Sequence, residues 1–323
     1  MEIAAAVDRA DLDELERVID ACCEARDWDA LAELRARCAQ AFERGRQLWP
    51  IAARAEYRLA LEAPAEHAAA VLLEGAGRFA LGPLPEVAAS THSWAALAPH
   101  VTEGPSAVIT LHERVVRGED CTVGPLPGPP VLDLPRRLAE WEPDYAVAEY
   151  RSDSVHTPMP PTPALERLAL PPPPERSTDI GSDALEDLTR AWTEDSGGRV
   201  ESVAILGSPL DAIAALRPPT ARVAPVTARH AIGMMAWAAA SAGAHGRRAG
   251  AAAGRFAAWW ALAAIADHQG DWPLDGDDLS DAIAELEFVA WDAAEPASGW
   301  ELRLAVGSPR RGRAWAVAAI DAT

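Results

Sequence analysis

The sequence predicts a mainly α-helical protein that ends in an α+β domain. Three observations predict it. Six stretches with apolar residues at helical spacing follow one another up to Arg117. From Cys121 to about residue 178 that pattern stops and proline becomes dense. Beyond Asp179, helical stripes alternate with short β-rich runs, and three such runs close the chain. The expected organisation is an all-helical domain over 1–120, built as stacked helical hairpins; a Pro-rich linker or arm over 121–178; and an α+β domain over 179–323. In the last, a mainly antiparallel sheet of about four strands packs on two apolar helices.

The elements follow in order. Leu12, Leu15, Ile19 and Cys22 form the first stripe, with Asp11 as cap and Glu14 three residues on. Asp27 or Asp29 caps a second helix carrying Leu31, Leu34, Cys38 and Phe42 and ending near Gly45. Pro50 opens a third, with Ile51, Ala55 and Leu59 inward. A fourth follows Pro64; a fifth lies between Pro85 and Leu97, broken around Ser90-Thr91; a sixth runs from Pro105 to about Arg117. Short loops between such helices point to hairpin stacking, and no fixed repeat period recurs.

The proline segment favours extended polyproline backbone, with one short helix expected over 134–140. Trp141, Tyr145 and Tyr150 point to partial docking. In the last domain, 183–192 reads as a helix, Val200 to Leu206 as a strand and 210–216 as a short helix. Thr227 caps the first of two long apolar helices. Strands are expected at 286–292, 300–306 and 313–320. In the middle one Trp300, Leu302, Leu304 and Val306 alternate with Glu301, Arg303 and Ala305. Gly307 to Gly312 joins the last two as a hairpin.

Composition excludes several function classes. A net charge of −20 opposes nucleic-acid binding, which rests on a basic surface. The chain has no lysine, so it has no Walker A loop, no Schiff base and no pyridoxal-phosphate anchor. It has no asparagine, hence no N-glycosylation site. A GC-rich genome explains both absences. The four cysteines form no CxxC and suggest neither zinc nor a disulfide framework. The start of the sequence lacks a basic n-region, and the longest apolar run is too short for a bilayer. A cytoplasmic protein with free thiols is expected, with no cofactor and no metal.

The most apolar stretch, Thr227 to Ala266, holds the candidate chemistry. Gly246, Gly250 and Gly254 are spaced four apart, which on one helix face allows close backbone approach. His245, Arg247 and Arg248 fall where the second apolar helix would begin, and Arg255 lies two turns on. Helix N–H groups beside these cations would suit a phosphate or carboxylate. The competing reading pairs the arginines with acid, and Asp275 to Asp281 supplies it. That acidic run fails as a calcium loop, because Pro273 and Ala282 occupy ligand positions. An Asp-rich helix start explains it. His92, His100, His112 and Cys121 match no zinc spacing, and His112-Glu113 lacks the second histidine of a zincin motif.

The runs Phe79 to Leu84, Thr91 to Trp94, His112 to Asp120 and Gly254 to Trp260 are similar to a family of uncharacterised proteins of high-GC Gram-positive bacteria. That resemblance implies no activity and no site. Two functional readings stay open. One is a non-enzymatic cytoplasmic interaction or scaffold protein with a protein partner, and with neither nucleic acid nor membrane. The other is an enzyme or anionic-ligand binder using His230, His245, Arg247, Arg248 and Arg255.

Overall fold

The computed structural model describes residues 3–295 and 299–322. The chain forms two compact units. The first gathers residues 1–115, 119–131 and 148–157; the second gathers 116–118, 132–147 and 158–323. The proline-rich stretch contributes to both.

Eight helices build the first unit: α1 (Ile3–Arg9), α2 (Leu12–Ala25), α3 (Trp28–Glu43), α4 (Trp49–Glu62), α5 (Ala65–Ala70), α6 (Leu84–Thr91), α7 (Trp94–Leu97) and α8 (Pro105–Val116). Asp11 caps α2 by accepting from the Glu14 N–H, and Asp27 caps α3 by accepting from that of Ala30. The expected fifth helix is two, because the chain turns extended at His92 and Ser93 restarts it as the cap of α7. The stripes meet as their spacing requires: Leu15 and Ile19, Leu31, Leu34 and Cys38, and Ile51, Ala55 and Leu59 are all buried in one core. Each such aliphatic side chain contributes roughly 1.5–3 kcal/mol through burial. A two-stranded ribbon, β1 (Glu149–Tyr150) and β2 (Val155–His156), lies against this core. Tyr150 donates to Glu86 Oε2 at 2.7 Å. Its ring passes over Gly82, where a Cβ would stand 2.2 Å from the hydroxyl.

The second unit is α+β. Its elements are β3 (Glu166–Arg167), α9 (Ile180–Asp187), α10 (Arg190–Glu194), β4 (Arg199–Leu206), α11 (Pro209–Ala215), β5 (Arg222–Val226), α12 (Ala228–Ser241), α13 (Ala251–Ala266), α14 (Gly276–Ala284), β6 (Glu287–Asp292), β7 (Gly299–Ser308) and β8 (Arg313–Ala322). The sheet is antiparallel and has six strands in the order β3-β5-β6-β7-β8-β4, not the expected four. The two additional strands are β3, only two residues long, and β5, which contains Pro225. Proline normally argues against a strand. It is tolerated here because β3 pairs only with Arg222 and Val223, leaving Pro225 beyond its reach. The helix expected over 134–140 does not form; that stretch is irregular.

Both faces of the sheet are covered. Leu302, Leu304 and Val306 join α9, α12 and α13 in one core, with Trp259, Leu262 and Ile265. Ala305, Val203 and Ala316 face the other way onto Ala212, Ile213 and Ala215 of α11. The alternation of β7 is therefore real, but its second face is buried too. Helices α12 and α13 press together at Gly254, where a Cβ would lie 2.2 Å from the Ala236 carbonyl oxygen. Gly246 and Gly250 lie before the helix rather than on its face, and Gly250 has φ +101°.

Candidate functional site

The break between α12 and α13 is a turn over 243–250, and it gathers three of the sequence-predicted residues. His245 and Arg247 are exposed there and Arg248 is half-buried. The helix begins later than the sequence suggests. Gly250 takes a left-handed conformation, which ends any helical path back toward Arg248, and the first helical residues, Ala251 and Ala252, are buried. The turn itself is fixed from the C-terminal strand: Asp321 Oδ2 accepts from the Ala244 N–H at 2.6 Å. His230 lies in the first turn of α12, half-buried, with its backbone N–H donated to the Thr227 cap. Ser241 lies eleven positions further along the helix, about 17 Å of rise.

Arg255 is placed otherwise. It is fully buried and bonded to Glu142, a residue of the proline-rich stretch. Nε donates to Glu142 Oε2 at 2.7 Å and Nη2 to Oε1 at 2.8 Å, a fork that matches the carboxylate. Nη1 donates to the Pro135 carbonyl at 2.9 Å and Nη2 also to that of Arg137 at 3.1 Å. Glu142 also accepts from the Ala139 N–H, the Tyr145 hydroxyl and the Trp259 indole. The guanidinium carbon stands 5.4 Å from the Trp259 ring centroid. Burial alone would push the Glu142 carboxyl up; the Arg255 hydrogen bonds and charge outweigh it and hold the group below its usual value. Burial and the Glu142 charge push the Tyr145 phenol well above its own.

Other chemical groups are also spent on structure. His92 sets Nε2 2.8 Å from the Ala63 carbonyl oxygen and Nδ1 3.0 Å from the Thr91 hydroxyl. All four cysteines are buried thiols, and burial raises Cys23 and Cys38 to about 11. The acidic run starts α14, where Asp278 accepts from the Asp275 N–H. Among the described residues, no group of three His, Cys, Asp or Glu side chains is placed to hold a metal ion, and no helix is long and apolar enough to cross a membrane.

Among the described residues, the cavities of the second unit include two large enough for a ligand. One, of about 570 Å³, lies by α14 and the β7–β8 turn. Its two arginines are partnered: Arg310 with Glu285 at 2.6 Å, and Arg311 with the Ile265 carbonyl at 2.6 Å. The other, of about 260 Å³, is walled by Trp237 of α12, Trp291 of β6, Arg303 of β7 and the proline strap around Met159 to Leu165. Sequence reasoning missed Glu142 and this second set entirely. The clustered Trp141 and Tyr145 were the available cue for the first; no spacing rule announces the second.

These features define a class: a helical unit and a six-stranded antiparallel α+β unit, the latter closed internally by a buried Arg–Glu pair. The chain belongs to the family of unknown function DUF6183, whose model matches residues 13–323. Neither the curated proteins nor the solved structures contain a match to it.

Proposed function

We propose that the chain is a non-enzymatic cytoplasmic interaction protein whose second unit is a rigid platform. The observation that carries this reading is the Glu142 carboxylate. It accepts five hydrogen bonds while fully buried. A carboxylate so saturated has no lone pair left for proton transfer. Its work is to hold the proline-rich stretch on α13. In the helical unit the buried Arg58 serves similarly, pairing with Asp20 at 2.7 Å and with Glu62 one turn on, and the half-buried Glu119 pairs with Arg114 at 2.7 Å.

The test is affinity capture of the full chain from its own host, followed by gel filtration and intact-complex mass spectrometry. A stoichiometric protein complex is expected. A chain that elutes alone with a co-purified anion, released on replacing Arg247 and Arg248 by Ala, would overturn the proposal. It would establish the anion-binding alternative at His245, Arg247 and Arg248.

A further inference from the structure

We infer that the 570 Å³ cavity between α14 and the β7–β8 turn is a binding site for an alkylammonium group, a charged amine carried on a short methylene chain. The inference goes beyond the interaction role proposed above and does not rest on it.

It begins with Ser308, the last residue of β7. Side chains alternate along that strand. Leu302, Leu304 and Val306 pack into the core with α12 and α13, whereas a Cβ on Gly307 would meet Pro209 of α11 at 2.7 Å. Ser308 therefore points to the α13–α14 side of the sheet, where it lines the cavity. It is 4 % exposed, and its hydroxyl has no hydrogen-bond partner among the described residues, not even the cap bond of the turn it starts. Buried hydroxyls are normally satisfied, by protein or by ligand. Charge is the second observation. Asp278, Asp281 and Glu285 follow one face of α14 along the cavity. Glu285 is taken by Arg310, and Arg311 is spent on the Ile265 carbonyl and, at 3.9 Å, on Asp267. Asp278 uses one oxygen to accept from the Asp275 N–H. Asp281 has neither a hydrogen bond nor an ion pair among the described residues. Ala266, the last residue of α13, also lines the cavity, so the carbonyl end of that helix adds its negative pole.

These groups narrow the class. Two carboxylates without a cation call for a positive ligand. A metal ion does not fit, because among the described residues no three His, Cys, Asp or Glu side chains are placed to hold one. Asp278 and Asp281 are separated by about 4.5 Å of helix rise, and Ser308 comes from a different element. Acceptors spread in this way suit an ammonium, whose three N–H donors diverge, better than a planar guanidinium, which favours a fork onto one carboxylate. Ala266, Ala282 and Leu286, all half-buried, give the cavity an apolar side. A methylene chain lies along such a surface while its charged head keeps polar company. Benzene fits a cavity of about 150 Å³, so this one has room for a chain of roughly seven heavy atoms. The protein has no lysine of its own. The ammonium is therefore brought by another molecule, as a free aliphatic amine or as the lysine side chain of a protein partner.

The test uses the full chain, calorimetric titration at low ionic strength and thermal unfolding. Pentane-1,5-diamine is the free-amine probe. The capped peptide acetyl-Ala-Lys-Lys-Ala-amide, of equal charge, is the side-chain probe, and magnesium chloride is the inorganic control. At least one amine is expected to bind, and magnesium to bind more weakly than either. Tighter binding of the diamine assigns the site to a free amine; tighter binding of the peptide assigns it to a partner's lysine. Asp281→Asn keeps the shape, removes the charge and is expected to weaken amine binding about fivefold. Ser308→Ala is expected to weaken it about threefold with no change in melting temperature, since no native bond is lost. Asp277→Asn removes an exposed carboxylate of α14 outside the cavity wall and is expected to leave binding unchanged. Absence of binding by both amines at millimolar concentration, magnesium binding as tightly as the amines, or equal weakening by Asp277→Asn and Asp281→Asn would overturn the inference. So would destabilisation by Ser308→Ala, which would show that its hydroxyl is bonded in the folded chain.

Discussion

Replacing Glu142 by Gln isolates the charge of the buried pair. The amide has nearly the shape of the carboxylate, so packing around Trp259 and Tyr145 is kept. What changes is that Arg255, with no exposure of its own, loses its counter-charge and finds an NH2 group opposite one arm of its fork. Removing one partner of a buried pair costs about 3–5 kcal/mol, because the other charge stays desolvated. For a unit of this size 1 kcal/mol corresponds to about 2–4 °C, so the loss amounts to roughly 6–20 °C in melting temperature. The assay is urea denaturation followed by tryptophan fluorescence at pH 7. Its pH dependence has a definite sign. The Glu142 carboxyl is held below its ordinary value in the folded chain. Its stabilisation is therefore complete above the unfolded value near 4.5 and is lost as pH falls below it. The variant should lose that part of the acid slope. The double variant Glu142→Leu with Arg255→Met removes the stranded charge but leaves the Ala139 N–H, the Tyr145 hydroxyl and the Trp259 indole without their acceptor, so it should remain less stable than the parent chain. A single-variant loss under about 1 kcal/mol would refute the reasoning.

Gly254→Ala should destabilise by about 1–3 kcal/mol in chemical denaturation, because the new Cβ meets the Ala236 carbonyl oxygen at 2.2 Å and the Ala240 Cβ at 2.9 Å. Asp179→Ala should cost about 2–3 kcal/mol, measured in the same way. It removes the α9 cap, the acceptor of the Trp315 indole and the partner of Arg313 at 2.8 Å. Cys23 and Cys38 should resist a thiol-specific disulfide reagent at pH 8 in the folded chain and react on unfolding, since burial lifts both to about 11 and leaves about one thiol in a thousand ionised.

The helical unit was legible because its signals are local. Asp11 and Asp27 cap the helices their sequence positions indicate, and Leu15, Ile19, Leu31 and Leu34 are buried where a 3.6-residue period places them. The shortest helix near the start, α1, has only one turn of apolar residues and carries too little periodicity to stand out. Strand β5 was hidden by Pro225, whose tolerance depends on how far β3 extends. The site was least legible of all. Arg255 was picked as a cation near a helix start, but its partner lies 113 positions away in a stretch that reads as linker. The tryptophans of the small cavity come from α12 and β6, and each alone looks like ordinary core.

The threading of the chain constrains how such a protein evolves. Residues 119–131 and 148–157 belong to the first unit, while 132–147 between them belongs to the second. A single recombination point anywhere in that interval divides at least one unit. A gene fragment beginning at Asp179 would inherit Arg255 and lose Glu142, leaving a charge stranded in its core. A fragment that keeps both partners of the pair has to start before residue 142, inside the stretch that composition alone reads as a linker. The family model likewise runs through both units, from 13 to 323.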